Sequence, residues 1–248
     1  MARAALPGRL NWQLATVVEL IDETARTKSI VLNVPEWTGH SAGQHLDVRL
    51  TAEDGYQAQR SYSIASAPAD EHLVITVERL DDGEVSPYLT DELRVGDTFE
   101  LRGPIGGYFV WHQSMTRPLL MLAGGSGVVP CRAMLRDWAS GPRSQTPRLL
   151  YSSRALEQVI FRTELDAFSS EGVGVHITLT RDAPADWRGH RGRIDSELLN
   201  RLAFPAAEDP IAYVCGPNGF VETASQTLLE LGYPPARIKT ERFGPSGN

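Results

Sequence analysis

Hydrophobic and polar positions change their period once along this chain. Through residue 111 the apolar residues fall in short β-branched or alternating runs separated by turn residues, the pattern of an antiparallel sheet or barrel. The runs predict strands over 13–19, 27–34, 45–50, 59–64, 73–80 and 98–101. One helix is expected among them, with Ser86 as N-cap, Pro87 at the first helical position and Gly96 past its end. From Pro118 the period lengthens. Strands over 119–123, 148–152, 175–180 and 211–215 alternate with helical stretches near 130–139, 157–168, 195–202 and 219–231, and a last strand covers 238–242. Strand and helix in alternation predict a parallel sheet with helices on both faces. The fold class expected is two-domain: a six-stranded antiparallel β-barrel over 1–114, then an α/β parallel-sheet domain over 115–248, joined by the polar stretch 112–117.

Composition narrows the function classes. The longest uncharged apolar run, 119–123, is far shorter than the roughly 20 residues that span a bilayer. No signal-peptide core lies in 1–14, so a cytoplasmic protein without membrane contact is expected. The two cysteines, Cys131 and Cys215, are too few for a disulfide framework or an all-cysteine iron–sulfur cluster, which takes four thiolates. Any such cluster would sit on another chain. A net charge of -7 argues against a nucleic-acid binder. The six histidines show no His-x-x-x-His spacing and no Gly-x-Ser-x-Gly element is present, so neither metal nor hydrolase chemistry is expected.

Candidate chemistry lies at the ends of strands. The apolar run 119–123 enters Gly124-Gly125-Ser126-Gly127-Val128-Val129-Pro130, glycines where a strand turns into a helix and backbone N–H groups can approach a phosphate. This is not the common dinucleotide fingerprint, because Pro130 takes the third glycine's place and the next strand ends in Tyr151-Ser152-Ser153-Arg154, without an acid for a ribose hydroxyl. The strand after it ends in Thr180-Arg181. Hydroxyls and guanidinium groups suit a 2′-phosphate, which favours NADPH over NADH. Arg154 and Arg181 as plain solvated loop residues is the alternative, and Arg162 and Arg193 are weaker candidates.

In Arg60-Ser61-Tyr62-Ser63, strand alternation sends Arg60 and Tyr62 to one face and the serines to the other. A cation, an aromatic ring and a hydroxyl at a strand end could hold a phosphate, stack on an isoalloxazine and hydrogen-bond its N5; an ordinary half-exposed strand fits as well. Gly83-Glu84-Val85-Ser86 precedes the Pro87 helix, whose positive end would favour a second phosphate. Cys215 precedes Gly216-Pro217, Cys131 reads as a core residue, and the Arg-rich stretch 182–193 reads as a solvated loop or a flap near the nucleotide.

Together these segments, with Gly103-Pro104-Ile105-Gly106 and the terminal Glu241-Arg242-Phe243-Gly244, resemble the ferredoxin-NADP reductase superfamily over roughly residues 12–244. The likeness is greatest to reductase components of bacterial multicomponent oxygenases, without their iron–sulfur domain. It implies FAD and NADP as cofactors, with NAD possible. By position, Arg60 would bind flavin phosphate, Tyr62 stack on the ring and Ser63 hydrogen-bond N5. Thr76 and Val77 would line the second flavin segment, and Gly83, Val85 and Ser86 would hold the pyrophosphate. On the nicotinamide side Gly125, Ser126 and Pro130 would shape the floor, Arg154 and Arg181 would read the adenosine end, and Cys215, Gly216 and Pro217 would border the reactive ring. Glu241 would complete a catalytic cluster with Ser63 and Cys215. Val129 departs from the family, which more often has Ala there. The implied activity is hydride transfer from NADPH to FAD, then single electrons to a separate acceptor, a ferredoxin or another one-electron protein, from a monomer. Alternatives are a free flavin or ferric-chelate reductase, or a non-catalytic FAD-holding subunit.

Overall fold

The computed structural model of the protein describes residues 10–244. Its first half is one sheet of six strands: β1 (Gln13–Thr24), β2 (Thr27–Asn33), β3 (His45–Thr51), β4 (Gln57–Ser63), β5 (Leu73–Glu78) and β6 (Thr98–Ile105). The order β4-β3-β6-β1-β2-β5 is antiparallel at every pair, and all six expected strands are present. Inward residues such as Ala15, Ile30, Leu46, Val48, Ile75 and Leu101 make a closed apolar core, as the two-residue period requires. The end strands β4 and β5 meet at an Ile64–Ile75 bridge and at the Ala65 N–H donated to Val74 O, 2.7 Å away. Elsewhere they leave a seam.

The segment after β5 differs from expectation. It holds a five-residue π turn, Tyr88–Glu92, with Pro87 rather than Ser86 at its N-cap and no side-chain cap. The reason is that the Ser86 hydroxyl accepts the Leu80 N–H at 3.1 Å and closes the 80–86 loop instead.

The second half is a sheet of β7 (Leu119–Gly124), β8 (Arg148–Ala155), β9 (Gly174–Asp182), β10 (His190–Arg191), β11 (Ile211–Pro217) and β12 (Ile238–Phe243), all parallel, in the order β10-β9-β8-β7-β11-β12. Helices α1 (Val128–Ser140) and α2 (Arg162–Ser170) cover one face; α3 (Ser196–Leu202) and α4 (Asn218–Glu230) cover the other. The helix expected from 157 starts only at Arg162, because Val159, Ile160 and Phe161 turn inward to bury their side chains and Phe161 takes a left-handed conformation, φ 59°. The strand β10 was not expected. It docks in the Arg-rich segment, which Arg191 organises by donating to the carbonyls of Ala183 and Pro184 at 3.1 and 2.5 Å.

Alternation along β7 and β11 decides what meets the barrel. Met121, Ala123, Tyr213 and Cys215 face α1, while Leu120, Leu122, Ala212 and Val214 face α3 and α4. Ala42, Ala65, Phe109 and Trp111, from the barrel half, join the first of these two layers. The two halves therefore share one core.

Candidate active site

In an open parallel sheet, ligands bind outside the carboxyl ends of the strands, where the order reverses. Here that point lies between β7 and β11, neighbours in space but distant in sequence. The turn after β7 packs directly on the end of β11. A Cβ on Gly127 would lie 2.1 Å from Cys215 O, one on Gly216 2.7 Å from Phe220 Cδ1, and one on Gly124 2.9 Å from Phe220 Cγ. Gly125 sits at φ 56°, so the chain can turn into α1 without a side chain in the crevice. No side chain caps α1, whose first turn contains Pro130, so its free N–H groups and the half-exposed Ser126 face the crevice mouth. Gly216 and the exposed Pro217 end β11 and lead into α4.

On this crevice converge groups from both halves. Register pairs Cys215 with Ala123 on one side and Glu241 on the other. Glu241 Oε1 lies 3.5 Å from His45 Nδ1, and His45 pairs across β3 and β4 with Ser63. Ser63, His45, Glu241 and Cys215 thus form a continuous series across the domain interface. Glu241 Oε2 is buried without a hydrogen-bond partner. Burial pushes the Glu241 carboxyl up to about 7 and the His45 imidazole down. Burial, with the Glu241 charge beside it, keeps the Cys215 thiol protonated; the buried Cys131 thiol is raised by the same two causes. Cys215 is therefore a neutral wall of the crevice rather than a thiolate nucleophile.

The seam between β4 and β5 carries the other set. Arg60 and Tyr62 share a face of β4, as alternation predicts, while Ser61 on the opposite face donates to Asp47 at 2.6 Å. The Arg60 guanidinium reaches Glu84, 2.7 Å away in the 80–86 loop, and Tyr56 donates to the same carboxylate at 2.7 Å. A protein anion thus already sits on the exposed Arg60, and a phosphate can take its place. Tyr62 is half-buried against the barrel core. Val77 and Val85 are wholly buried in that core, so only their backbone can face a ligand. The Thr76 hydroxyl is engaged with Ser29 Oγ at 2.9 Å. A Cβ on Gly83 would stand 2.8 Å from Ser86 Oγ and 3.0 Å from Leu80 O, so the loop curls only with glycine there. An aromatic wall, a cation and a loop of bare backbone fit a flavin with its phosphates.

Arg154 lies at a bulge, where β8 between Ser153 and Ala155 opposes Thr180 and Arg181 of β9. Both arginines are exposed and make no hydrogen bond or ion pair among the described residues; Asp182 ends β9 beside Arg181. Sequence reasoning missed His45, Glu84 and Glu78. His45 was legible only through its β3–β4 register with Ser63, and Glu84 only through the seam. Glu78 Oε2 stands 3.8 Å from the point a Gly125 Cβ would occupy, a contact between halves that no local pattern announces.

Fold and crevice together define a two-domain flavin and nicotinamide oxidoreductase. The family descriptions agree: the oxidoreductase FAD-binding domain matches residues 15–110 and the oxidoreductase NAD-binding domain residues 121–226. The chain is 31% identical over 249 residues to the ferredoxin reductase component of 3-ketosteroid-9-alpha-monooxygenase from Rhodococcus rhodochrous, covering 98% of this chain and 68% of that one. It is 30% identical over 234 residues to the glycine betaine monooxygenase reductase subunit of Chromohalobacter salexigens, covering 92% of this chain and 63% of that one. A solved ferredoxin NADP+ reductase from Neisseria gonorrhoeae with bound FAD and NADP superposes with a TM-score of 0.79 at 25% identity, covering 93% of this chain and 98% of that one. The chain belongs to the ferredoxin reductase-like superfamily of FAD- and NAD(P)-binding oxidoreductases. It is an FAD-dependent NAD(P)H oxidoreductase, and it spans about two thirds of the length of the two curated relatives. No helix among the described residues is long and apolar enough to cross a membrane.

Proposed function

We propose that the protein passes electrons from NADPH, through FAD, to a separate one-electron acceptor protein of the ferredoxin kind. The observation that carries this reading is the series Ser63–His45–Glu241–Cys215, which joins the end of the flavin strand to the crevice of the nucleotide sheet. Bound FAD supplies the one chemistry amino acids lack, accepting a hydride and releasing electrons singly.

The residues do the rest. Arg60 exchanges Glu84 for flavin phosphate, with Gly83, Val85 and Ser86 offering backbone to the pyrophosphate, and Tyr62 stacks on the ring. Thr76 and Val77 line the second flavin segment, and Ser63 donates its hydroxyl to N5. Gly125, Ser126 and Pro130 floor the nicotinamide site, which Cys215, Gly216 and Pro217 border. Glu241, with its carboxyl raised to about 7 beside His45 Nδ1, is about half protonated at neutral pH and can take up or release a proton at that carboxyl. Arg154 and Arg181 read the 2′-phosphate, which gives the preference for NADPH. The functional halves are 1–114 for FAD and 115–248 for the nucleotide, and a cytoplasmic monomer serves the acceptor.

Purified FAD-loaded protein mixed anaerobically with each nucleotide tests the reading. Bleaching of the flavin by NADPH faster than by NADH is expected, followed by stoichiometric reduction of an added ferredoxin. An Arg154→Ala and Arg181→Ala double variant should lose the preference. No bleaching by either nucleotide would remove the reductase reading, and equal loss toward both would remove the role of the two arginines.

A further inference from the structure

A second polar network crosses between the halves away from the crevice. Arg132 and Arg136, one turn apart on α1, lie on the same helix face. Arg136 grips Asp70 with two hydrogen bonds of 2.8 and 3.0 Å and donates to Glu164 at 2.7 Å. Arg132 donates to the other oxygen of Glu164 at 2.5 Å and to Ala65 O at 3.0 Å. Its guanidinium lies 4.6 Å over the ring of Phe161, the residue in the left-handed conformation. Asp70 in turn accepts the Ala67 N–H at 2.8 Å. Burial pushes the Asp70 carboxyl up, but its bonds to Arg136 and the Ala67 N–H, with the charges of Arg136 and Arg132, together hold it below its ordinary range. The side chain of Arg132 is 15% exposed and that of Glu164 24%. The side chains of Asp70 and Arg136 are 26% and 35% exposed, so the ring is partly sheltered, and its bidentate Arg–carboxylate pairing sets it apart from a fully solvated surface pair.

What the ring joins matters more than its strength. Ala65 is two residues past Ser63. Arg132 is five residues past Gly127, about 7.5 Å along a rigid helix. Glu164 belongs to the first turn of α2, which follows the strand that carries Arg154. We propose that Arg132 and Arg136 are positioning residues: they lock the chain leaving Ser63 in register with the helix leaving the glycine-rich turn, and so set the separation between flavin strand and nucleotide crevice. This rests on the reductase reading above. A ring serving only as domain glue would change stability without changing the rate of the saturated complex.

The experiment uses FAD-loaded protein and three variants, Arg132→Ala, Arg136→Lys and Asp70→Asn, the last conserving size and the acceptor for Ala67. Nucleotide affinity is read by equilibrium titration with NADP+, amide exchange over 65–70 by mass spectrometry, and flavin reduction at saturating NADPH by stopped flow. Reduction should slow by about tenfold or more while the NADP+ dissociation constant moves by less than about threefold, and exchange over 65–70 should quicken in the same variants. Should Arg132→Ala fail to fold, the two conservative variants decide by the same readouts. A saturated rate within about threefold of wild type in folded, flavin-loaded variants overturns the proposal, as does a slowing that only tracks lost FAD or weakened NADP+. Wild type is the control: if neither nucleotide reduces it, the reductase reading has failed rather than the positioning role.

Discussion

At the scale of single residues, two side chains in the crevice make the sharpest claims. Ser63, half-buried beside His45, is the only member of the proposed catalytic set on the flavin strand. Ser63→Ala should slow flavin reduction by about tenfold or more with FAD retained, read by stopped-flow absorbance; an unchanged rate removes its role at N5. Glu241 makes a claim about pH. Its carboxyl titrates near 4.5 when unfolded and is pushed up to about 7 by burial in the folded chain. Below the lower value both states are protonated. Between the two the unfolded chain releases its proton and the folded chain keeps it, so stability falls as pH rises, by roughly 3 kcal/mol over the window. In flavin-free protein, Glu241→Gln should gain on wild type by that amount between pH 4.5 and 8 in urea melts. A pH-independent difference would mean the carboxylate is solvated. Ser63 stood out in the sequence as a strand-end hydroxyl and Glu241 through the family resemblance, whereas His45 between them did not, because its neighbour lies across a hairpin.

At the scale of elements, close approach explains the glycines. Gly127 abuts the backbone of Cys215, which has no flexible end to yield, so Gly127→Ala should cost more than about 3 kcal/mol by urea denaturation. Gly219 in α4 has nothing within 4 Å of its missing Cβ, and Gly219→Ala should instead stabilise by up to about 1 kcal/mol. Equal effects at the two sites would contradict the packing of the β7 turn on β11. Periodicity revealed all six barrel strands and the alternating second half, since apolar spacing is a local property. It misjudged the starts of two helical segments. At Ser86 the hydroxyl had a tertiary partner in the Leu80 amide, and at 159–161 burial of three consecutive apolar side chains prevailed over helical continuity.

At the scale of the whole molecule, the layer containing Phe109 and Trp111 of the barrel half with Met121, Tyr213 and Cys215 of the other makes the interface a core. The Tyr213 hydroxyl donates to Val110 O at 2.5 Å, and that of Tyr108 to Ile238 O at 3.0 Å. Fully burying each large apolar side chain contributes about 1.5–3 kcal/mol, so the halves should unfold together. Scanning calorimetry of the flavin-free protein should give one transition with matching calorimetric and van't Hoff enthalpies, and FAD should raise its midpoint. Two separated transitions would show that the halves are independent. The sequence by itself determined the strand and helix periods, the order of the two domains and the glycine turns, because each is written in residues close together along the chain, and the order of its motifs carried the family resemblance that implied the cofactors. Only the tertiary structure decided that Arg60 meets Glu84, that Glu241 is buried beside His45, and that Arg132 ties Ala65 to α2. Those contacts join residues 24 to 196 positions apart, and no local spacing encodes which strands will lie side by side.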